Sequence, residues 1–143
     1  MRKIMLSIFV LALALLNFAH LAAAADMHAK ATLTGAAEVP GPGDPDGGGT
    51  AQVTLNPDKN EVCYELSVTK IDDATAAHIH EGAMGKEGPV KVGLDTPKGG
   101  ATKGCKSADA AVVKDMIANP ANYYVNVHSK DFPKGAVRGQ LSK

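Results

Sequence analysis

Tryptophan is absent, and phenylalanine and tyrosine number three each. A core built from this chain must therefore rest on Val, Leu, Ile and Ala, which limits the apolar area available per residue. There are two cysteines, Cys63 and Cys105, and no CxxC spacing. That removes the usual signature of a redox pair. No run of like charge exists, and 15 Lys and Arg balance 15 Asp and Glu. Such dispersed charge leaves no footprint for nucleic acid or for an anionic membrane. No GxxxxGK(S/T) loop is present. The segment Gly82-Ala83-Met84-Gly85-Lys86 lacks that spacing, precedes no helix and reads as a hairpin turn. Ser67, Ser107 and Ser129 have no nucleophile-elbow context, and Glu61 and Glu65 share a strand face without sign of a cleft. No catalytic constellation is evident.

The one long apolar run lies at the start. Arg2 and Lys3 precede Ile4 to Leu16, interrupted only by Ser7, and Ala22 to Ala25 follow as small residues suited to a signal peptidase. The run is shorter than the roughly 18–20 residues of a spanning helix. Residues 1–25 are thus expected to be a cleaved signal peptide, and residues 26–143 one exported domain, periplasmic or extracellular. Loss of Arg2 and Lys3 leaves that domain slightly acidic. No Cys stands near Ala25, against a lipoprotein anchor, and no second apolar segment offers a membrane span.

In an oxidising compartment, an even pair of cysteines reads as a disulfide, Cys63 to Cys105. Cleavage after Ala25 also creates the terminus Asp26-Met27-His28. A free amine with His at the third position can wrap Cu(II) in a square-planar set, so His28 is a separate candidate ligand.

Two-residue alternation predicts strands at Ala29–Thr34, Thr50–Leu55, Glu61–Thr69, Ala76–Glu81, Pro89–Leu94, Ala121–Ser129 and Val137–Leu141. Gly41–Gly49, Asn56–Asn60, Gly82–Gly88 and Thr96–Gly104 read as turns or loops. Val112, Val113, Met116 and Ile117 recur at helical spacing. Ser107 is the expected N-cap, Asp109 suits the first turn, and Pro120 ends the helix. About seven antiparallel strands and one short helix predict an all-β domain, a sandwich or a barrel-like Greek key.

The chain resembles the CHRD domain, a module described in chordin and also found alone in exported bacterial proteins. The resemblance runs through Leu33-Thr34-Gly35, Glu38-Val39-Pro40, Gly49-Thr50-Ala51 and Cys63-Tyr64-Glu65-Leu66. It continues through Ala77-His78-Ile79-His80-Glu81-Gly82, Gly88-Pro89-Val90, Tyr124-Val125-Asn126-Val127-His128 and Gly135 to Leu141. It implies a compact β domain and no particular enzymatic activity. A fainter likeness links His78-x-His80-Glu81 to copper–zinc superoxide dismutases, which place the same motif on a β-sandwich strand. The second zinc loop of those enzymes has no counterpart here.

Alternation places His78 and His80 on the face opposite Ala77 and Ile79. It places Asn126 and His128 opposite Val125 and Val127. If the two strands are neighbours, His78, His80 and His128 converge. Three imidazoles without a thiolate suit Cu(II) or Zn(II), with water, His28 or Glu81 as a fourth ligand. The blander reading is a hydrogen-bonded polar cluster including Glu65, Asn126 and Arg138, with Arg138 paired to Glu65 or Glu81. The expected function is an exported, non-catalytic module that binds an unidentified protein or surface. The alternative is a periplasmic copper- or zinc-binding protein, and superoxide-dismutase-like chemistry stands third.

Overall fold

The computed structural model describes residues 25–143; the expected signal peptide lies outside the described residues except for Ala25. Eight strands form one antiparallel sheet. They are β1 (Met27–Thr34), β2 (Gly48–Asn56), β3 (Glu61–Thr69), β4 (Ala74–Glu81), β5 (Val90–Leu94), β6 (Ala101–Ser107), β7 (Tyr123–Ser129) and β8 (Val137–Gln140). The order is β5-β4-β7-β8-β1-β2-β3-β6, and the sheet curls into a nearly closed barrel rather than splitting into a sandwich. Its two edges meet through side chains. Asp95, just after β5, accepts hydrogen bonds from Tyr64 Oη of β3 at 2.9 Å and from Lys106 Nζ of β6 at 2.6 Å.

Period-two patterning explains the strands. Val62, Tyr64, Leu66 and Val68 of β3 point inward, as do Ala29, Ala31 and Leu33 of β1 and Ala51, Val53 and Leu55 of β2. Ala77, Ile79, Val125, Val127 and Val137 line the other half of the same core. Full burial of each branched side chain contributes about 1.5–3 kcal/mol. Core strands pass very close at one point: a Cβ on Gly139 of β8 would lie 2.3 Å from the Thr32 carbonyl oxygen of β1, so only glycine fits.

Helix α1 (Ala110–Ala118) sends Val113 and Met116 into the core. Its N-cap is Asp109, whose carboxylate accepts from the Ala111 and Val112 amides, and not Ser107. Ser107 is occupied as the last residue of β6. That strand is the eighth, and its first residues fall in the Thr96–Gly104 segment whose sequence predicts a loop. Ala101-Thr-Lys-Gly-Cys-Lys-Ser107 carries no aromatic and no aliphatic β-branched residue, and none of its side chains is fully buried. Its strand character comes from pairing with β3, residue against residue from Glu61↔Ser107 to Ser67↔Ala101. Tertiary pairing here overrides a weak local preference.

Candidate functional site

β4, β7 and β8 lie side by side, and their registers build the site. His78 stands opposite Asn126, and Asn126 opposite Arg138. His80 stands opposite Tyr124, and Tyr124 opposite Gln140; His128 faces Ala76. Because Ala77, Ile79, Val125 and Val127 point into the barrel, all these side chains share its outer surface. That surface is not bare. The Gly82–Gly88 loop, the segment after Ser129 and the segment after β1 fold over it.

The three imidazoles meet there. The His78 ring centroid lies 5.5 Å from that of His80 and 5.1 Å from that of His128. One nitrogen from each ring can be chosen so that all three lie within 4.8 Å of one another. No fourth His, Cys, Asp or Glu joins them among the described residues. Glu81 is committed to a salt bridge with Lys91 at 2.8 Å.

Backbone carbonyls fix two of the ring tautomers. His80 Nδ1 donates to the Gly88 carbonyl at 2.8 Å, and His128 Nδ1 donates to the Pro133 carbonyl at 3.0 Å. A carbonyl only accepts, so in the neutral rings the Nε2 atoms carry bare lone pairs. The His128 lone pair faces His78 Nδ1 at 3.3 Å. The His80 Nε2 atom is buried and has no partner. Burial depresses the His78 pKa, and positive charge on His128 or His80 would depress it further. Burial likewise depresses His128, against a raising effect of the Pro133 carbonyl. These two rings stay neutral, and therefore able to donate a lone pair, to lower pH than an exposed histidine.

Arg138 occupies an unexpected place. It is 1% exposed, and its Nη2 donates to the Ala83 carbonyl at 3.0 Å and to Gln140 Oε1 at 3.4 Å. The guanidinium lies 3.4 Å over the Tyr124 ring centroid, and the His80 ring stacks on Tyr124 at 4.8 Å with 6° between planes. Gln140 Nε2 in turn donates to the Gly82 carbonyl at 2.6 Å. Arg138 and Gln140 thus tie down the loop whose Gly88 carbonyl orients His80. The expected pairing of Arg138 with Glu65 or Glu81 is not found. Glu65 sits exposed on β3, opposite Gln52 and Lys103, because Leu66 takes the inward direction there. It belongs to no cluster with Asn126 and Arg138.

The buried carboxylate that acts on Arg138 is Glu38, whose burial sequence reasoning did not single out. It follows β1 and is 5% exposed, with Oε1 buried and unpartnered. A Cβ on Gly135 (φ 144°) would fall 2.4 Å from its Oε2, so glycine is required beside it. Burial pushes the Glu38 pKa up to about 7, opposed by the Arg138 charge and the Val39 amide. The folded state therefore holds a proton that the unfolded chain has released above its ordinary 4.5. Stability is greatest below pH 4.5 on this account, and falls as pH rises towards about 7. Glu38→Gln is expected to flatten this dependence, so that at pH 8 the variant is more stable to unfolding than the wild type, by up to about 3 kcal/mol. Equal pH slopes in the two proteins would refute the assignment.

The remaining candidates lie elsewhere. Cys63 and Cys105 face each other across β3 and β6 and are bonded as a disulfide. Glu61 beside them completes no thiolate site, because neither sulfur is free. His28 is exposed at the start of β1, its Nδ1 3.0 Å from Thr54 Oγ1, while Asp26 accepts from Asn56 Nδ2 at 2.7 Å. Thr34 at the other end of β1 is the residue that meets Arg138, so His28 is remote from the three histidines. A copper wrap at the terminus would have to peel this end of β1 from β2.

A curled antiparallel sheet with a loop-covered polar patch on its outer wall defines a small β-barrel domain. The chain belongs to the CHRD domain family, which it matches over residues 29–141. No curated protein and no solved structure matches it.

Proposed function

We infer that this CHRD domain is an exported binding module whose ligand is a copper or zinc ion, held by His78, His80 and His128. One observation carries the reading: three imidazole nitrogens lie within 4.8 Å of one another while backbone carbonyls hold the Nδ1 protons of two rings. Metal-bound histidines characteristically donate their other ring N–H to such an acceptor, which fixes tautomer and orientation before the ion arrives. The orphaned His80 Nε2 supports the same reading, since buried polar atoms are rarely left without a partner. With three protein ligands the ion keeps an open position for water or an exogenous ligand.

Export rests on the N-terminal pattern and agrees with the disulfide. Mass spectrometry of the secreted protein is expected to find Asp26 as the first residue. Metal-free mature protein titrated by calorimetry with Zn(II), Cu(II) and Cu(I) is expected to bind one equivalent at micromolar or lower Kd. No saturable binding of any of the three ions would dispose of the metal reading.

A protein-binding role has one observation of its own. Among the described residues the large exposed apolar side chains are Met84, at 81%, and Val90, at 51%. Both belong to the β4–β5 hairpin beside the histidines, so a partner docking there would contact the site's rim.

A further inference from the structure

We propose that Arg138 sets the charge of the ion the three-histidine site accepts, favouring copper(I) over copper(II) and zinc(II). The inference rests on the metal reading above and deepens it.

The charges decide the case. Three neutral imidazoles neutralise none of an ion's charge, and no carboxylate or thiolate joins them among the described residues. Behind the Tyr124 ring on which His80 stacks lies a guanidinium, protonated at every physiological pH. It is almost wholly removed from water. Because β7 lies between β4 and β8, His80 and Arg138 take opposite faces of the Tyr124 ring. The two stacking distances together place the guanidinium no more than about 8 Å from the His80 ring.

Compensation of that charge is incomplete. The direct partners of Arg138 Nη2 are neutral oxygens, those of Ala83 and Gln140, and Nη1 has none. Glu38 and Glu87 act on it through space, as does the Tyr124 hydroxyl. Glu38 is itself only partly ionised near neutrality. Each added unit of positive charge on a bound ion therefore meets repulsion. For an ion on His80 taken at about the same distance as the ring, about 8 Å, and an effective dielectric near 20, it weakens binding about 30-fold. The one-electron copper couple feels one such unit, and about 30-fold corresponds to about 90 mV.

Arg138 also braces the Gly82–Gly88 loop, and a purely structural role would weaken all ions alike. The readouts are therefore ratios. The copper midpoint potential and the Cu(I)-to-Zn(II) affinity ratio are measured on the mature wild type, Arg138→Gln and Arg138→Lys. Arg138→Gln is expected to lower the midpoint by about 90 mV and to shift the affinity ratio about 30-fold towards zinc. Arg138→Lys, which keeps the charge, is expected to stay near the wild type. If Arg138→Gln does not fold, Glu38→Gln at pH 8 takes its place. It removes the carboxylate facing Arg138 and is expected to raise the midpoint. A midpoint and ratio unchanged in the folded charge variant overturn the inference while the metal reading stands. A wild type that binds no copper ends both.

Discussion

Replacing His78, His80 and His128 together with alanine is expected to remove saturable metal binding, weakening the apparent Kd by on the order of a thousandfold or more. The magnitude follows from the ligand count. Loss of an outer hydrogen-bond partner alone typically costs 10–100-fold in metal affinity. Here all three inner ligands go, and no neighbouring acid stands ready to replace them: Glu81 is held by Lys91. The variant is expected to fold, because the three side chains project from the outer wall while Ala77, Ile79, Val125 and Val127 keep the core. A far-ultraviolet spectrum like that of the wild type checks this. The pH dependence of the wild type provides a second measure. With His78 and His128 both held below the ordinary 6.5, proton competition for the lone pairs sets in only below that value. Protonation of these two rings is therefore expected to weaken metal binding at lower pH than it would for exposed histidines. A triple variant that binds as tightly as the wild type would leave these residues as a polar brace between β4 and β7, and the protein-binding reading would take precedence.

How much of this was legible beforehand depends on which physical signal carries each feature. Alternation alone carries the face on which a residue lies. That sufficed to bring His78, His80 and His128 to one surface, since β4 and β7 are adjacent. It sufficed for β3, where apolar and polar residues alternate from Glu61 to Thr69, and for the Val125-Asn126-Val127-His128 stretch of β7. It failed for β6, whose small and polar residues show no apolar face and which depends on β3 for its pairing. Nor does alternation say what covers a face. Arg138, Tyr124 and Asn126 occupy outward positions by parity, which suggests solvent; yet they are 1%, 3% and 4% exposed. The cover comes from loops far away in sequence: Ala83 reaches Arg138 across 55 residues, and Gly82 reaches Gln140 across 58. The burial of Glu38 is illegible for the same reason. Nothing local marks a single glutamate after a strand as buried; only the approach of Gly135 and Arg138 makes it so.

The cysteine pair shows the opposite balance. With only two cysteines in the sequence the partner choice is settled by arithmetic, whereas nothing local marks the strand that presents Cys105. The bond is expected to matter greatly. It spans a sequence separation of 42 residues. Closing a loop of that length in the unfolded chain lowers its entropy by an amount worth about 4 kcal/mol at 25 °C. Such a domain has total stability of only about 5–15 kcal/mol. The core supplies little reserve, since it holds no tryptophan. β6 adds a second reason: it is an edge strand with no fully buried side chain, tied to the barrel by its ladder with β3, this bond and the Lys106–Asp95 contact. The Cys63→Ala/Cys105→Ala variant is therefore expected to unfold about 15 °C below the wild type, at roughly 4 °C per kcal/mol for a domain of this size. Hydrogen exchange is expected to reveal loss of protection first in residues 101–107, ahead of β4, β7 and β8. The three histidines lie on β4 and β7, neither of which pairs with β3 or β6, so metal affinity at 25 °C should survive the loss of the bond. Thiol titration of the denatured, unreduced wild type provides the control and should find no free thiol. A melting temperature within about 3 °C of the wild type would mean that the β3–β6 ladder alone holds this edge, and the loop-closure account of its stability would fail.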